Sequence, residues 1–217
     1  MKILLALITL AISCCDRPAE ATVIDYSVGS QSRLAHEITQ GGVPVSAWSI
    51  ESGVWQPVEL FRRVDPPNDF GLGVCNTPSG SCGTGQQNEI DSNGAYRDVI
   101  AFSTAGVIFD AINLSSLDGT FPGDDAWSIY LTNLLLPDLA ALTPFAAGAN
   151  GHGIFHRVPI GQAADWIYVT TNGAGSDFLV RSIETAAPSE VPEPGTMALL
   201  MLPALVIARR LRRAQWS

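Results

Sequence analysis

Short apolar runs, each broken after a few residues, most constrain what this chain can fold into. They are rich in Val, Ile, Phe, Tyr and Trp, and turn clusters such as "SNG", "LDGTFPGDD" and "TNGAGSD" separate them. Between Thr22 and Ala187 no long helical periodicity interrupts this pattern. Such spacing predicts one all-β domain, a β-sandwich or jelly roll. The segments predicted as strands are "TVIDYSV", "PVSAWSI", "VWQPVELF", "DVIAFST", "GVIFDAINL", "WSIYLT", "GIFHRV", "DWIYVTT" and "DFLVRSI".

One segment of this body, "LTNLLLPDLAALTPFAAGANG", departs from the strand pattern. Its leucines and alanines favour either a short helix or a loop packed over one sheet edge. Pro137 and Pro144 limit any helix there to about two turns, because proline removes a backbone donor and clashes with the preceding turn. Both alternatives leave the all-β prediction in place.

The charge of the body argues against nucleic acid as a partner. The whole chain has a formal charge of −9, and Lys2 is its only lysine. Between Thr22 and Glu190, six arginines stand against eighteen acidic residues, which leaves about −12. Binding to the phosphates of nucleic acid requires a basic face, which this composition does not predict. The excess of acidic residues indicates either that cations are partners or that the charge keeps the protein soluble.

The first 21 residues have the order of a secretory signal peptide. Lys2 supplies the positive start, 3–12 is an apolar run, and Ala19-Glu20-Ala21 is a cleavage site with small residues. Signal peptidase is therefore an expected partner, and the mature chain would begin at Thr22. Two alternatives stay open, a buried N-terminal strand or helix and a lipoprotein signal with lipid on Cys14.

The C-terminal segment, 188–217, predicts a temporary membrane stop. Its apolar stretch, 196–208, has thirteen residues, and a helix of that length covers about 20 Å of a bilayer core roughly 30 Å thick. The prolines before it end any preceding structure. The cluster Arg209, Arg210, Arg212 and Arg213 would hold the end on the cytoplasmic side.

This tail, "VPEPGTMALL…ARRLRR", closely resembles the PEP-CTERM sorting signal, with its Pro-Glu-Pro motif at Pro192, Glu193 and Pro194. The resemblance implies a protein exported across the inner membrane of a Gram-negative bacterium, held briefly by its C-terminal helix and processed by exosortase. Its destination would then be the cell surface or the extracellular space. Such bacteria often make extracellular polysaccharide. Pro203 departs from the usual apolar helix, and a plain C-terminal anchor is the alternative.

The body resembles, loosely, the β-sandwich domains common in PEP-CTERM proteins. The stretches that carry this likeness are "FGLGVCNTPSGSCGTGQQNEIDSNGAYRDVIAFS" and "DWIYVTTNGAGSDFLVRSI". The resemblance supports a domain over 22–187 and carries no activity. Cys75 and Cys82 flank "NTPSGS" and are the only cysteines left after signal cleavage. An exported chain meets an oxidising compartment, so they predict a disulfide that pins a long loop.

Two carboxylates and two histidines are the candidate metal ligands of the sequence. Glu89 and Asp91, in "NEIDSNG", lie two apart and would share one side of an extended segment, where they can face a structural calcium ion. Turns also favour Asp and Asn for local reasons, and no EF-hand pattern occurs. His152 and His156 share a face on a helix or a strand, but no nearby residue supplies the remaining ligands of zinc.

The sequence predicts a non-enzymatic exported protein, associated with an extracellular polysaccharide or biofilm matrix. No nucleophile elbow, P-loop, dinucleotide fingerprint or H-E-x-x-H occurs. The alternative is a secreted domain that binds or cleaves carbohydrate. An exposed strip of aromatic rings would favour binding, and two carboxyl groups about 5–10 Å apart in a cleft would favour cleavage. The candidate rings are those of Trp48, Trp55, Trp127 and Trp166.

Overall fold

The structure of the protein is a computed structural model. Nearly all the regular structure of the described residues is β-strand. The structure describes residues 21–65, 69–76, 82, 89–92, 95–117, 125–150, 153–173 and 176–186, all within one unit of the chain, 20–187. The strands are β1 Thr22–Asp25, β2 Ser32–Arg33, β3 Glu37–Gln40, β4 Val43–Glu51, β5 Val54–Asp65, β6 Asp69–Cys75, β7 Ile90–Asp91, β8 Tyr96–Ser103, β9 Phe109–Leu117, β10 Asp125–Thr132, β11 Ala146–Asn150, β12 Gly153–Gln162, β13 Trp166–Thr171 and β14 Asp177–Thr185.

All neighbouring strands in these ranges pair antiparallel, in the order β11-β10-β13-β8-β4-β5-β6-β14-β9-β12. The short strands β1, β2, β3 and β7 pair beside this path, with β14, β5, β4 and β14 respectively. The resulting sheet is sandwich-like, with β11 and β12 at the two ends of the path. The all-β prediction is confirmed.

The long strand β5 belongs to both halves of the sheet. Its first part, Val54–Val58, pairs with β4, and its second part, Glu59–Asp65, pairs with β6. We call the half that runs from β11 to β4 the first sheet and the half that runs from β6 to β12 the second sheet. A two-residue turn, Ser52-Gly53, starts β5, and both residues have positive φ, 50° and 79°. This is the turn that matches the right-handed twist of paired strands.

Apolar side chains from both sheets form one buried core. The first sheet contributes residues such as Val45 and Phe102, and the second contributes residues such as Leu72, Leu114 and Val180, all of them fully buried. Each such side chain contributes about 1.5–3 kcal/mol by leaving water. A second, smaller cluster lies on the outer face of the first sheet.

The outer cluster is covered by the segment that departed from the strand pattern. It contains the buried residues Val99, Ala101, Tyr130 and Tyr168 of the first sheet together with Leu139. Leu139–Ala141 is a single 3-10 turn, capped by the Asp138 carboxylate, which accepts from the Ala140 amide at 3.0 Å. Of the two alternatives that the sequence left open, a short helix or a loop over one sheet edge, the structure has a loop with one 3-10 turn, and it covers the outer face of the sheet. The loop ends in the additional strand β11.

All nine segments predicted as strands contain strands. The sequence did not single out β2, β3, β6, β7 and β11, which are short, glycine-rich or at an edge. The predicted signal peptide and C-terminal helix lie outside the described residues. Within the part that is described, no helix is long and apolar enough to cross a membrane.

We predict that Gly71→Ala destabilises the fold far more than Gly53→Ala. Gly71 has a φ of 148°, and a Cβ there would lie 2.5 Å from the Val180 carbonyl oxygen of β14, so two paired strands must separate. We expect a loss of about 2–4 kcal/mol in the free energy of unfolding, measured by urea denaturation.

Gly53→Ala is the matched control, because Gly53 also has a positive φ, 79°, but open space around it. Backbone strain alone then costs about 1–2 kcal/mol. If both variants lose the same free energy of unfolding, backbone strain alone explains the glycine at position 71, and the close approach of β6 and β14 does not.

Candidate functional site

A buried ion pair fills one end of the core. The guanidinium of Arg63, in the second part of β5, donates to Glu89 Oε1 at 2.5 Å and to Asp69 Oδ2 at 2.9 Å. Arg63 and Glu89 are 9% and 3% exposed, so both charges are withdrawn from water. Removing one partner of such a pair costs about 3–5 kcal/mol, because the other charge is left buried alone. The sequence did not predict Arg63 as a partner of Glu89.

The hydroxyl of Ser116 joins this pair from β9. It lies 2.8 Å from Glu89 Oε1 and 2.9 Å from Asp69 Oδ1, and its single hydrogen serves one of them at a time. Ser116 has a φ of 60°, which is costly for a residue with a side chain. The strand is therefore distorted where its hydroxyl meets the two carboxylates.

Burial and the neighbouring charges act in opposite directions on the Glu89 carboxyl. Burial, followed by the nearby carboxylate of Asp177, raises the pKa of Glu89, whereas the Arg63 guanidinium and the Ser116 hydroxyl lower it. The direct contact with Arg63 is therefore what favours the charged form of Glu89 in this buried position.

Asp91 and Asp98 form a second carboxyl pair beside the first. The bridge between Ser92 and Arg97 places Asp91 directly opposite Asp98. On its other side Asp91 pairs with Asp177 in β14. Side chains of directly opposite residues share a face of the sheet, so the hairpin from β7 to β8 brings two carboxyl groups together.

Each carboxyl of this pair has one satisfied and one unsatisfied oxygen. Asp98 Oδ1 accepts from the Asn76 amide at 3.0 Å, and Asp91 Oδ2 accepts from the Tyr96 hydroxyl at 3.2 Å. Asp91 Oδ1 and Asp98 Oδ2 are buried, and the described residues supply no hydrogen-bond donor to either of them. Burial, and then the neighbouring Asp91, raises the pKa of Asp98 well above its ordinary value, and burial raises the pKa of Asp91. One proton held between the two groups satisfies both oxygens.

The predicted calcium ligands have different partners in the fold. Glu89 contacts Arg63 and Ser116, whereas Asp91 contacts Tyr96 and faces Asp98. Among the residues with described structure, no group of three or more His, Cys, Asp or Glu side chains is arranged to hold a metal. The calcium site at Glu89 and Asp91 stays a prediction.

Of the two histidines considered as a pair, only His156 lies within the described residues. Its ring lies against Trp127, with 5.2 Å between the ring centroids. His152 lies outside the described residues.

The disulfide between Cys75 and Cys82 is present, as the sequence predicted. The two Cα atoms are 5.8 Å apart. The bond fixes the chain next to Asn76, whose amide holds both Asp98 and the Ser49 hydroxyl. The disulfide therefore anchors one end of the loop beside the carboxyl pair.

A groove opens on the outer face of the first sheet. Its volume is about 380 Å³, which lies within the range of small-ligand sites. The turn at Ser52-Gly53, the segment 137–140, the start of β8 and the residues after β13 form its walls. Trp55 and Arg97 both line it. Asp138 is the only carboxylate among the described residues that line this groove.

Three of the four candidate tryptophans lie on the outer face of the first sheet. Trp48, Trp55 and Trp166 are partly buried there against the outer cluster, and Trp127 is 4% exposed in the core. Only Trp55 lines the groove. Its indole donates to the Pro137 carbonyl at 3.2 Å and meets Trp48 edge-on, with 6.0 Å between the ring centroids. The indole is thereby held in one orientation.

Comparison with protein families identifies the C-terminal segment. Residues 190–213 match the PEP-CTERM protein-sorting motif. The chain carries a PEP-CTERM sorting motif. A motif of this kind is recognised for exosortase processing and implies an exported, surface-sorted protein that its C-terminal region anchors transiently. No curated protein matches the chain. The PEP-CTERM motif covers the tail alone and assigns no chemistry to the body.

We predict that Asp98→Asn stabilises the protein at alkaline pH. The folded carboxyl pair keeps a proton that the unfolded chain releases above the ordinary Asp pKa of 3.8, so the free energy of unfolding falls as the pH rises above that value. An amide at position 98 donates to Asp91 without titrating. Melting curves in chelator at pH 5 and pH 8 should show a smaller loss in the variant, with a gain of about 3 °C at pH 8 for each 1 kcal/mol.

Asp165→Asn is the control, because Asp165 is exposed and its side chain has no part in the pair. This variant should keep the pH dependence of the parent. The same curves in millimolar calcium test the ion predicted at Glu89 and Asp91. An ion that binds only the folded state would raise the melting temperature, and most at pH 8, where fewer protons compete for the carboxylates. An Asp98→Asn variant with the full pH dependence of the parent would contradict the shared proton.

Proposed function

We propose that this PEP-CTERM protein is a non-enzymatic component of the cell surface, associated with an extracellular polysaccharide matrix. The observation that supports the proposal is the aromatic groove on the outer face of a domain that is sorted for export. Aromatic rings with fixed orientation offer an apolar surface to the C–H face of a sugar ring. Binding to polysaccharide would keep the released body in the matrix.

The distribution of carboxylates favours binding over cleavage. A glycosidase needs two carboxyl groups about 5–10 Å apart on either side of the bond that breaks. In the groove, Asp138 is the one carboxylate among the described lining residues, and its Oδ1 caps the 3-10 turn. The closely grouped carboxyls, Glu89, Asp91 and Asp98, belong to the buried network. We therefore infer a carbohydrate-binding domain without hydrolytic activity.

The proposed association is tested by fractionation of a host that has exosortase and makes extracellular polysaccharide. We expect the protein to sediment with the matrix and to appear in the medium of an otherwise identical host that makes no polysaccharide. Incubation with the purified polysaccharide should release no new reducing ends. The same distribution in both hosts would reject the matrix association, and released reducing ends would reject the non-enzymatic assignment.

We predict that exosortase removes the apolar tail. The Pro-Glu-Pro motif, the short apolar segment and the arginine cluster occur in the order of the sorting signal, within the matched residues 190–213. Mass spectrometry of mature protein should show a C-terminus before the apolar segment in a host with exosortase and the intact segment in a host without it. An intact chain through Ser217 on mature surface protein from the first host would contradict the prediction.

A further inference from the structure

The arginines of the described residues are nearly all engaged with a partner. Arg33 pairs with Glu59, Arg62 bonds Gln40, Arg63 pairs with Asp69 and Glu89, Arg157 pairs with Glu184, and Arg181 lies over the Phe155 ring. Arg97 is the exception within the part of the chain that is described, although acidic residues outnumber basic ones in this body. It is partly buried and lines the groove.

The register of the first sheet places this cation beside the groove tryptophan. Ile50 of β4 pairs with Trp55 of β5 on one side and with Arg97 of β8 on the other. Directly opposite residues share a face, so the three side chains form one row across adjacent strands. Two strand spacings separate Trp55 from Arg97, roughly 10 Å between backbones. A sugar ring on the Trp55 indole and a neighbouring carboxylate on the Arg97 guanidinium would fit within this distance.

The carboxylate of Asp138, which also lines the groove, forms no ion pair with Arg97 in the described part of the chain. It accepts a hydrogen bond from the Ala140 amide. A guanidinium is charged at every physiological pH and binds a planar carboxylate through two parallel N–H groups. The net negative charge of the body repels anions at long range. An anion can therefore bind only through a local contact, here with the Arg97 guanidinium.

We propose that the groove binds an acidic sugar unit, a uronate of a polysaccharide, with its carboxylate on Arg97 and a sugar ring on Trp55. This inference rests on the proposed polysaccharide association and names the ligand class for it. The Trp55 indole is fixed by Pro137 and Trp48, so little side-chain freedom is lost on binding. A neutral sugar leaves Arg97 without a partner.

The test is titration calorimetry of the full chain with an oligomer of galacturonic acid, with its methyl ester as the matched neutral probe. We expect the acid to bind and the ester to bind at least about tenfold more weakly, since the ester cannot accept the charge-assisted pair. Arg97→Gln should weaken binding of the acid by a similar factor. Arg33→Gln removes the same charge from an exposed arginine outside the groove and should leave binding unchanged.

Equal binding of acid and ester, equal effects of Arg97→Gln and Arg33→Gln, or no binding of the acid would each overturn the uronate proposal. Melting curves of both variants confirm that they are folded. Fractionation distinguishes a failure of the uronate proposal from a failure of the proposed matrix association. If Arg97→Gln stays in the matrix as the parent does, the matrix association stands and the groove assignment is rejected. If the parent itself is not retained, the association is rejected as well.

Discussion

The double pairing of β5 is the constraint on which both halves of the structure depend. Its first part holds Trp55 on the outer face of the first sheet, and its second part carries Arg63 into the end of the core. A strand that changes partners along its length joins two sheets covalently, so their relative position follows from one backbone. The groove and the buried network are therefore positioned by the same strand.

The buried network explains how an acidic domain tolerates carboxylates inside its core. Arg63 balances Glu89 and Asp69, whereas no ion pair of the described residues involves Asp91 or Asp98, which face each other across the hairpin. A shared proton would satisfy these two carboxyl groups. Burying an uncompensated charge costs far more than burying a neutral carboxyl, and this difference drives the shift in pKa. We therefore expect the stability of this part of the core to depend on pH.

Local patterns of sequence predicted the strands and the disulfide, but not which side chains meet. Nine apolar runs were sufficient to locate nine strands, and the isolated pair Cys75 and Cys82 was sufficient to predict the bond. The meeting of Asp91 and Asp98 depends on the register of a hairpin, and that of Arg63 and Glu89 on contacts between distant strands. The alternation of apolar and polar residues shows which side chains of a strand share a face. It does not show which face lies against the core, so it could not predict that Trp127 is in the core and that Trp55 lines a groove. Such pairings are fixed by tertiary packing.

The export signal and the charge distribution together narrow what the groove can recognise. The sorting motif at 190–213 implies export of the body to the cell surface, and the proposed association would place the groove against polysaccharide there. A body of net negative charge repels anionic polymers at long range, and salt screens that repulsion within about 10 Å at 0.1 M. Attraction then has to come from short-range contacts, and among the described residues of the groove the Arg97 guanidinium and the Trp55 ring are the ones we propose for them. Selectivity for an acidic sugar would thus depend on two side chains placed in one row by the pairing of three strands.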